Sequence, residues 1–211
     1  MIDSLLQKLC FLPIVLFSLS LHELSHGLAA YKLGDNTAKA FGRLTLNPFA
    51  HLDIMGTIAM LFFGFGWAKP VPVNFANLKY KRLGPAMVAI AGPFSNFLLA
   101  LAAVIINLLC FSAGIELHPF FHDYVIYTIV INVTLAAFNL IPIPPLDGSK
   151  IVLSFLPFKW QFKVYRYEPY IQILFFILLY WGALDPLINL MAGLVTSLLL
   201  KAQNLLILLF L

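Results

Sequence analysis

Long apolar runs, separated by short stretches rich in polar residues, glycine or proline, set the pattern of the chain. Runs at about residues 5–33, 84–113, 124–141, 169–183 and 187–209 read as helices, the last two joined by Gly182–Pro186 into a hairpin. Stretches of roughly 18 or more apolar residues meet the length needed to cross a bilayer. A further run at 54–67 is shorter, carries Gly56, Gly64 and Gly66, and has basic residues on both flanks: Lys39 and Arg43 before it, Lys69 to Arg82 after it. A crossing there would put one basic cluster on the wrong side of the membrane, so it reads as a re-entrant segment that enters and leaves by one face. Phe41 to Leu46 and Val71 to Phe75 alternate or carry β-branched residues and read as short strands, the second at an edge because of Pro70 and Pro72. The expected fold is an all-α polytopic membrane protein with about five transmembrane helices, one re-entrant segment and short strands.

Composition agrees. Of 211 residues, 62% are hydrophobic and 10% charged, against roughly 25% charged in an ordinary soluble domain. Mean hydropathy is +0.94. A water-exposed globule is excluded. The net charge of +4 does not point to nucleic acid, because the Lys and Arg residues lie in loops beside apolar segments. The loop Ser112 to Asp123 holds Glu116, His118, His122 and Asp123 but no Lys or Arg, and is expected outside. Lys39 and Arg43 follow the first helix and place its C-terminal end in the cytoplasm and the N-terminus outside, with Lys8 pulling weakly the other way. A cleaved secretory signal does not fit the first run, which is too long and contains His22, Glu23 and His26. Cys10 and Cys110 lack a CxxC spacing and read as packing residues. The absence of long insertions suggests a prokaryotic plasma membrane. No repeat or appended soluble domain is visible, so residues 1–211 read as one membrane-embedded domain, with a core at about 5–150 and the hairpin at about 169–209.

Chemistry concentrates in the first helix, which reads Leu21-His22-Glu23-Leu24-Ser25-His26. Residues four apart share a helix face, so both imidazoles can reach one ion while Glu23 projects beside them toward a water. Zinc takes such ligands, and a catalytic site uses three from the protein. Ionisable groups near a helix centre in lipid cost on the order of 2.5 kcal/mol or more, so three within five residues call for a role. The competing reading is a hydrogen-bonded cluster lining an ion path, as in a small transporter or channel. The best third ligand is Asp147, in Asn139-Leu-Ile-Pro142-Ile-Pro144-Pro145-Leu146-Asp147-Gly148, where prolines break the helix and Gly148 permits a tight turn.

His22 to His26 together with Asn139 to Gly148 resembles the site-2 protease family of intramembrane metalloproteases, peptidase family M50. Ala91-Gly92-Pro93-Phe94-Ser95-Asn96 is similar to a third family motif, and the three follow in family order over about residues 10–150. The resemblance implies a three-helix catalytic core and one zinc ion held by His22, His26 and Asp147. It also implies catalysis by Glu23 and hydrolysis of peptide bonds in transmembrane substrates. The PDZ and CBS modules of some subgroups are not seen in this chain. Asn139 resembles a family asparagine near the zinc, which would donate to the scissile carbonyl or hold the extended substrate; a helix-capping amide is the alternative. Asn96 either lines the active site or joins neighbouring helices by a hydrogen bond, and Gly92 and Pro93 read as packing and helix-bending residues. His51 and Asp53 follow an Asn47-Pro48 turn and do not read as a second metal site. Val71 and Val73 would pair with an unwound substrate by strand addition. Expected partners are therefore membrane protein substrates and the lipid bilayer. No nucleic acid is expected, and self-association is left open.

Overall fold

In the computed structural model, backbone is described for residues 2–56 and 66–210 and side chains for 10–56 and 66–208. Most of the 54–67 run, and the re-entrant reading with it, lies outside the described residues. Among those described the helices are α1 (Ile2–Lys32), α2 (Thr37–Ala40), α3 (Pro48–His51), α4 (Gly84–Ser112), α5 (Pro119–Asn139), α6 (Asp147–Phe155), α7 (Phe158–Tyr180) and α8 (Asp185–Phe210). Among the described residues, four stretches are long and apolar enough to cross a membrane: Cys10–Lys32, Gly84–Ser112, Pro119–Asn139 and Asp185–Leu208. The protein is an integral membrane protein. The run read as a helix at 169–183 begins earlier, at Phe158, and is not one of the four. Lys159, Lys163, Arg166 and Glu168 occupy its first half, and Pro169 sits within it without ending it.

The chain divides within α4 into two compact units, Met1–Gly92 and Pro93–Leu211. In the first, Ala30 near the end of α1 is buried with Leu78 and Val88, and Val73 and Phe75 pack against them. Asp35, just beyond α1, is fully buried. Its carboxylate accepts from Thr37, from the Asn77 amide at 3.0 Å and from the Asn74 backbone N–H at 2.8 Å. Lys79 N–H donates to the Leu33 carbonyl at 2.8 Å. The segment after the 54–67 run is thereby tied to the end of α1. Its other end is also tied: Arg43 donates to the Lys69 carbonyl and Lys69 N–H to the His51 carbonyl, each at 2.8 Å. Leu52 and Ala68 form an isolated antiparallel bridge, and Gly56 lies so close to the Trp67 carbonyl that a side chain could not fit.

The two expected strands are not formed among the described residues, where the isolated bridge is the only β pairing. Pro70 and Pro72 have no N–H to offer a ladder. The N–H groups of Val71 and Asn74 are taken by carboxylates of Glu23 and Asp35. Phe75–Asn77 winds into a 3-10 turn capped by the Asn74 side chain.

The second unit packs α4, α5 and α8 through small and branched residues: Ala100 and Val104, Val133, Ala136 and Ala137, Val195 and Leu199. Small side chains let membrane helices approach closely, where packing and not water exclusion holds them together. Outward-facing Leu98, Ile106, Val130, Leu194 and Leu198 are exposed, as lipid-facing positions should be. After α5 the prolines interrupt the helix, and buried Ile141 and Leu146 anchor this break against Phe175 and Leu184.

Candidate zinc and catalytic site

The first unit holds three of the predicted catalytic residues on α1. His22 and His26 are only 4% and 9% exposed. Their rings meet edge to face, with the two Nε2 atoms 3.0 Å apart. Nδ1 of His26 lies 2.8 Å from the Val88 carbonyl on α4. A carbonyl only accepts, so Nδ1 carries the proton and Nε2 presents its lone pair; such a second partner orients metal-binding histidines. Two ring nitrogens bound tetrahedrally at about 2.0–2.1 Å lie about 3.3 Å apart, so this pair fits a shared zinc ion with little adjustment. Glu23, between them in sequence, accepts the Val71 N–H on Oε2 at 2.8 Å.

Gly92 has a larger part than the packing and bending read from the sequence. A Cβ there would lie 2.6 Å from Cε1 of His22, 2.5 Å from Cε1 of His26 and closer still to Nε2 of His26. One turn earlier on the same helix is Val88, whose carbonyl holds His26, so α4 orients His26 and makes room for both rings. Gly27 is the second residue sequence reasoning missed. Its Cβ would collide with Leu44 and lie 3.2 Å from Val71 Cγ1. Four residues after Glu23, it lets the Val71 segment approach the face of α1 that carries the carboxylate. A signal existed in the sequence, since a glycine inside a helix costs about 1 kcal/mol relative to alanine and calls for a reason.

In the second unit, Asp147 is buried in the first turn of α6 and forms an ion pair with Lys150 at 3.1 Å. Gly148 has no room for a side chain, with the Leu140 and Ile141 carbonyls against it, the latter at 2.5 Å. The turn thus folds onto the end of α5 and seats Asp147 near Asn139 along the chain. Asn139 donates from Nδ2 to its own helix, at the Leu135 carbonyl. Asn96 is fully buried and donates to Asn132 Oδ1 at 2.8 Å, while Asn132 donates to the Thr128 carbonyl. Val71 is buried in the first unit and Val73 lies against its core. Asn47 caps α3 by accepting from Phe49, and His51 is engaged with the Thr45 carbonyl, in keeping with a turn at this point.

Known proteins resemble this chain. The Peptidase family M50 model matches residues 117–181. YwhC of Bacillus subtilis, named as a candidate zinc metalloprotease, is 43% identical over 168 residues, covering 78% of this chain and 77% of that protein. MJ0611 of Methanocaldococcus jannaschii, similarly named, is 32% identical over 149 residues, or 70% of this chain and 75% of its own. Rip2 of Mycolicibacterium smegmatis, again so named, is 30% identical over 63% of this chain and 52% of its own length. No solved structure matches. These likenesses favour hydrolysis over an ion path for the histidine cluster, and they make zinc the cofactor. The chain belongs to peptidase family M50, the site-2 protease family of zinc metalloproteases.

Proposed function

We propose that the protein is an intramembrane endopeptidase that hydrolyses peptide bonds in or near transmembrane segments of other proteins. His22, His26 and Asp147 hold the zinc in this reading, and Glu23 is the general base. The observation that carries it is the buried, oriented Nε2 pair of His22 and His26 on a membrane-length helix, with Glu23 on the same turn. Asp147 suits the third position by its burial and its carboxylate donor. Asp35, also buried, is instead committed to Thr37, Asn74 and Asn77.

Zinc, when bound, supplies Lewis acidity that polarises the scissile carbonyl and lowers the pKa of water toward about 7. Glu23 takes the proton of the attacking water and later passes it to the leaving amine. Substrate must be unwound first, because a helix protects its own peptide bonds. The extended segment at Val71 and Val73 receives it: Val73 N–H and the carbonyls of both valines have no hydrogen-bond partner among the described residues. The remaining Asn139 N–H donates to the scissile carbonyl or the substrate backbone. For Asn96, the bond to Asn132 favours support of the helices over contact with substrate.

The flanks of the 54–67 run lie side by side, at Leu52 and Ala68 and at Gly56 and Trp67, which supports their lying on one face of the membrane. The N-terminus is outside and the active site lies toward the cytoplasm of a prokaryotic plasma membrane. The test is zinc content and cleavage of a model transmembrane substrate by wild type, Glu23→Gln and Asp147→Ala. The expected result is about one zinc per chain in wild type. Glu23→Gln should retain zinc and lose hydrolysis by about 100-fold or more. Hydrolysis by Glu23→Gln at the wild-type rate, or a wild type without zinc, overturns the reading.

A further inference from the structure

The geometry points to the backbone N–H of Val71 as a positioning donor for the catalytic carboxylate: it holds Glu23 Oε2 and leaves Oε1 to take the proton. This rests on the protease reading above and adds a residue to its machinery. Oε2 accepts the Val71 N–H at 2.8 Å, while Oε1 has no hydrogen-bond partner among the described residues. The two oxygens of one carboxylate are thus made unlike. A flexible glutamate on a helix samples several rotamers; anchoring one oxygen confines the other. An amide suits the task because it donates and does not titrate, so it cannot deliver a competing proton to the base.

The rest of the segment is built to keep that amide in place. Pro70 fixes its own φ, and Pro72 restricts Val71 to extended backbone, so the N–H direction is preset. Upstream, Lys69 is held through its carbonyl by Arg43 and through its N–H by His51. Downstream, Asn74 N–H is held by Asp35. In the middle, Gly27 admits the Val71 side chain against α1 one turn beyond Glu23. Two pinned ends and a close approach in the middle leave the amide little freedom relative to the carboxylate. The Pro-Val-Pro sequence is therefore a strap that fixes the base.

The test compares full-length Val71→Pro, which has no N–H, with Val71→Ala, which keeps it, in lipid with a model transmembrane substrate. A chain with the α-hydroxy acid analogue of valine at position 71, which replaces the N–H by oxygen, serves as a second donor-less form if proline disturbs folding. Loss of a hydrogen bond to a charged group should lower kcat by about 10- to 100-fold, with KM and zinc content unchanged. Val71→Ala keeps the donor but trims a buried side chain of the substrate-pairing segment, so some activity should be lost with it, yet its kcat should stay above that of both donor-less forms. In a Glu23→Gln background, removal of the N–H should cause no further loss, because there is no base left to position. Unchanged kcat in both donor-less forms overturns the inference, as does a rise in KM at constant kcat, which would make the N–H a substrate contact. Full activity in Glu23→Gln alone would instead strike at the assignment of Glu23, so the two failures can be told apart.

Discussion

Gly92 on α4 lies against the imidazole of His26 with no space between them for a methyl group. Gly92→Ala must therefore turn or displace a ring that Val88 holds by its Nδ1 proton. Zinc affinity should fall by at least the roughly 10–100-fold typical of a lost outer partner. Zinc titration of the apoprotein checks this. Gly114→Ala, at a position where a Cβ meets nothing within 4 Å, should leave zinc binding unchanged even if its positive φ costs some stability.

Removal of metal should separate fold from activity. A chelator should abolish cleavage, and added zinc should restore it. Asp147→Ala should weaken zinc binding by more than the roughly 10–100-fold of an outer partner, since it removes a proposed direct ligand and leaves Lys150 without its ion-pair partner. Zinc affinity equal to that of wild type would remove Asp147 from the ligand set.

Asp35 lies beyond the first membrane span and should make stability depend on acid. Burial raises its pKa, but hydrogen bonds from Thr37, Asn77 and Asn74 outweigh this and hold it below the ordinary value of 3.8. The lower folded pKa contributes stability that is present above 3.8 and lost as pH falls through and below that value. Thermal unfolding in detergent should show a falling midpoint in this range, and Asp35→Asn should flatten that fall. At pH 7 the substitution should itself destabilise by about 1–3 kcal/mol, because an amide cannot accept from all of these donors.

The buried amide pair of Asn96 and Asn132 gives a different signature. Asn96→Ala removes the donor to Asn132 Oδ1. The cost should be about 0.6–1.7 kcal/mol, small because partners are also found in the unfolded membrane state. Chemical unfolding in mixed micelles measures it. Folded Asn96→Ala protein should retain zinc and most of its hydrolysis if Asn96 supports the helices without touching substrate.

Much of the helical framework was readable in the sequence, because in lipid a helix must satisfy its backbone internally and shows itself as an apolar run. The shared face of His22 and His26 followed from their spacing, and the break before Asp147 from its prolines. What was not legible depended on side chains distant in sequence. Val71 to Phe75 has the residues of a strand, yet Glu23 and Asp35 claim two of its N–H groups. The short helix α6 was hidden in a loop rich in proline and basic residues, and the early start of α7 was hidden by charges and Pro169. Gly27 and Gly92 could be recognised as glycines, but only the approach of another element to each explains why they are needed.

The close approach of Gly56 to Trp67 has a consequence for substitution at a distance. Paired at Leu52 and Ala68 and again drawn together here, the chain is sutured before and after residues 57–65. The approach of Val71 to Glu23 therefore starts from an anchored Ala68 and not from a loose end. A side chain placed at Gly56 would push on the start of the strap at Trp67 and be felt at the Val71 N–H that Glu23 accepts.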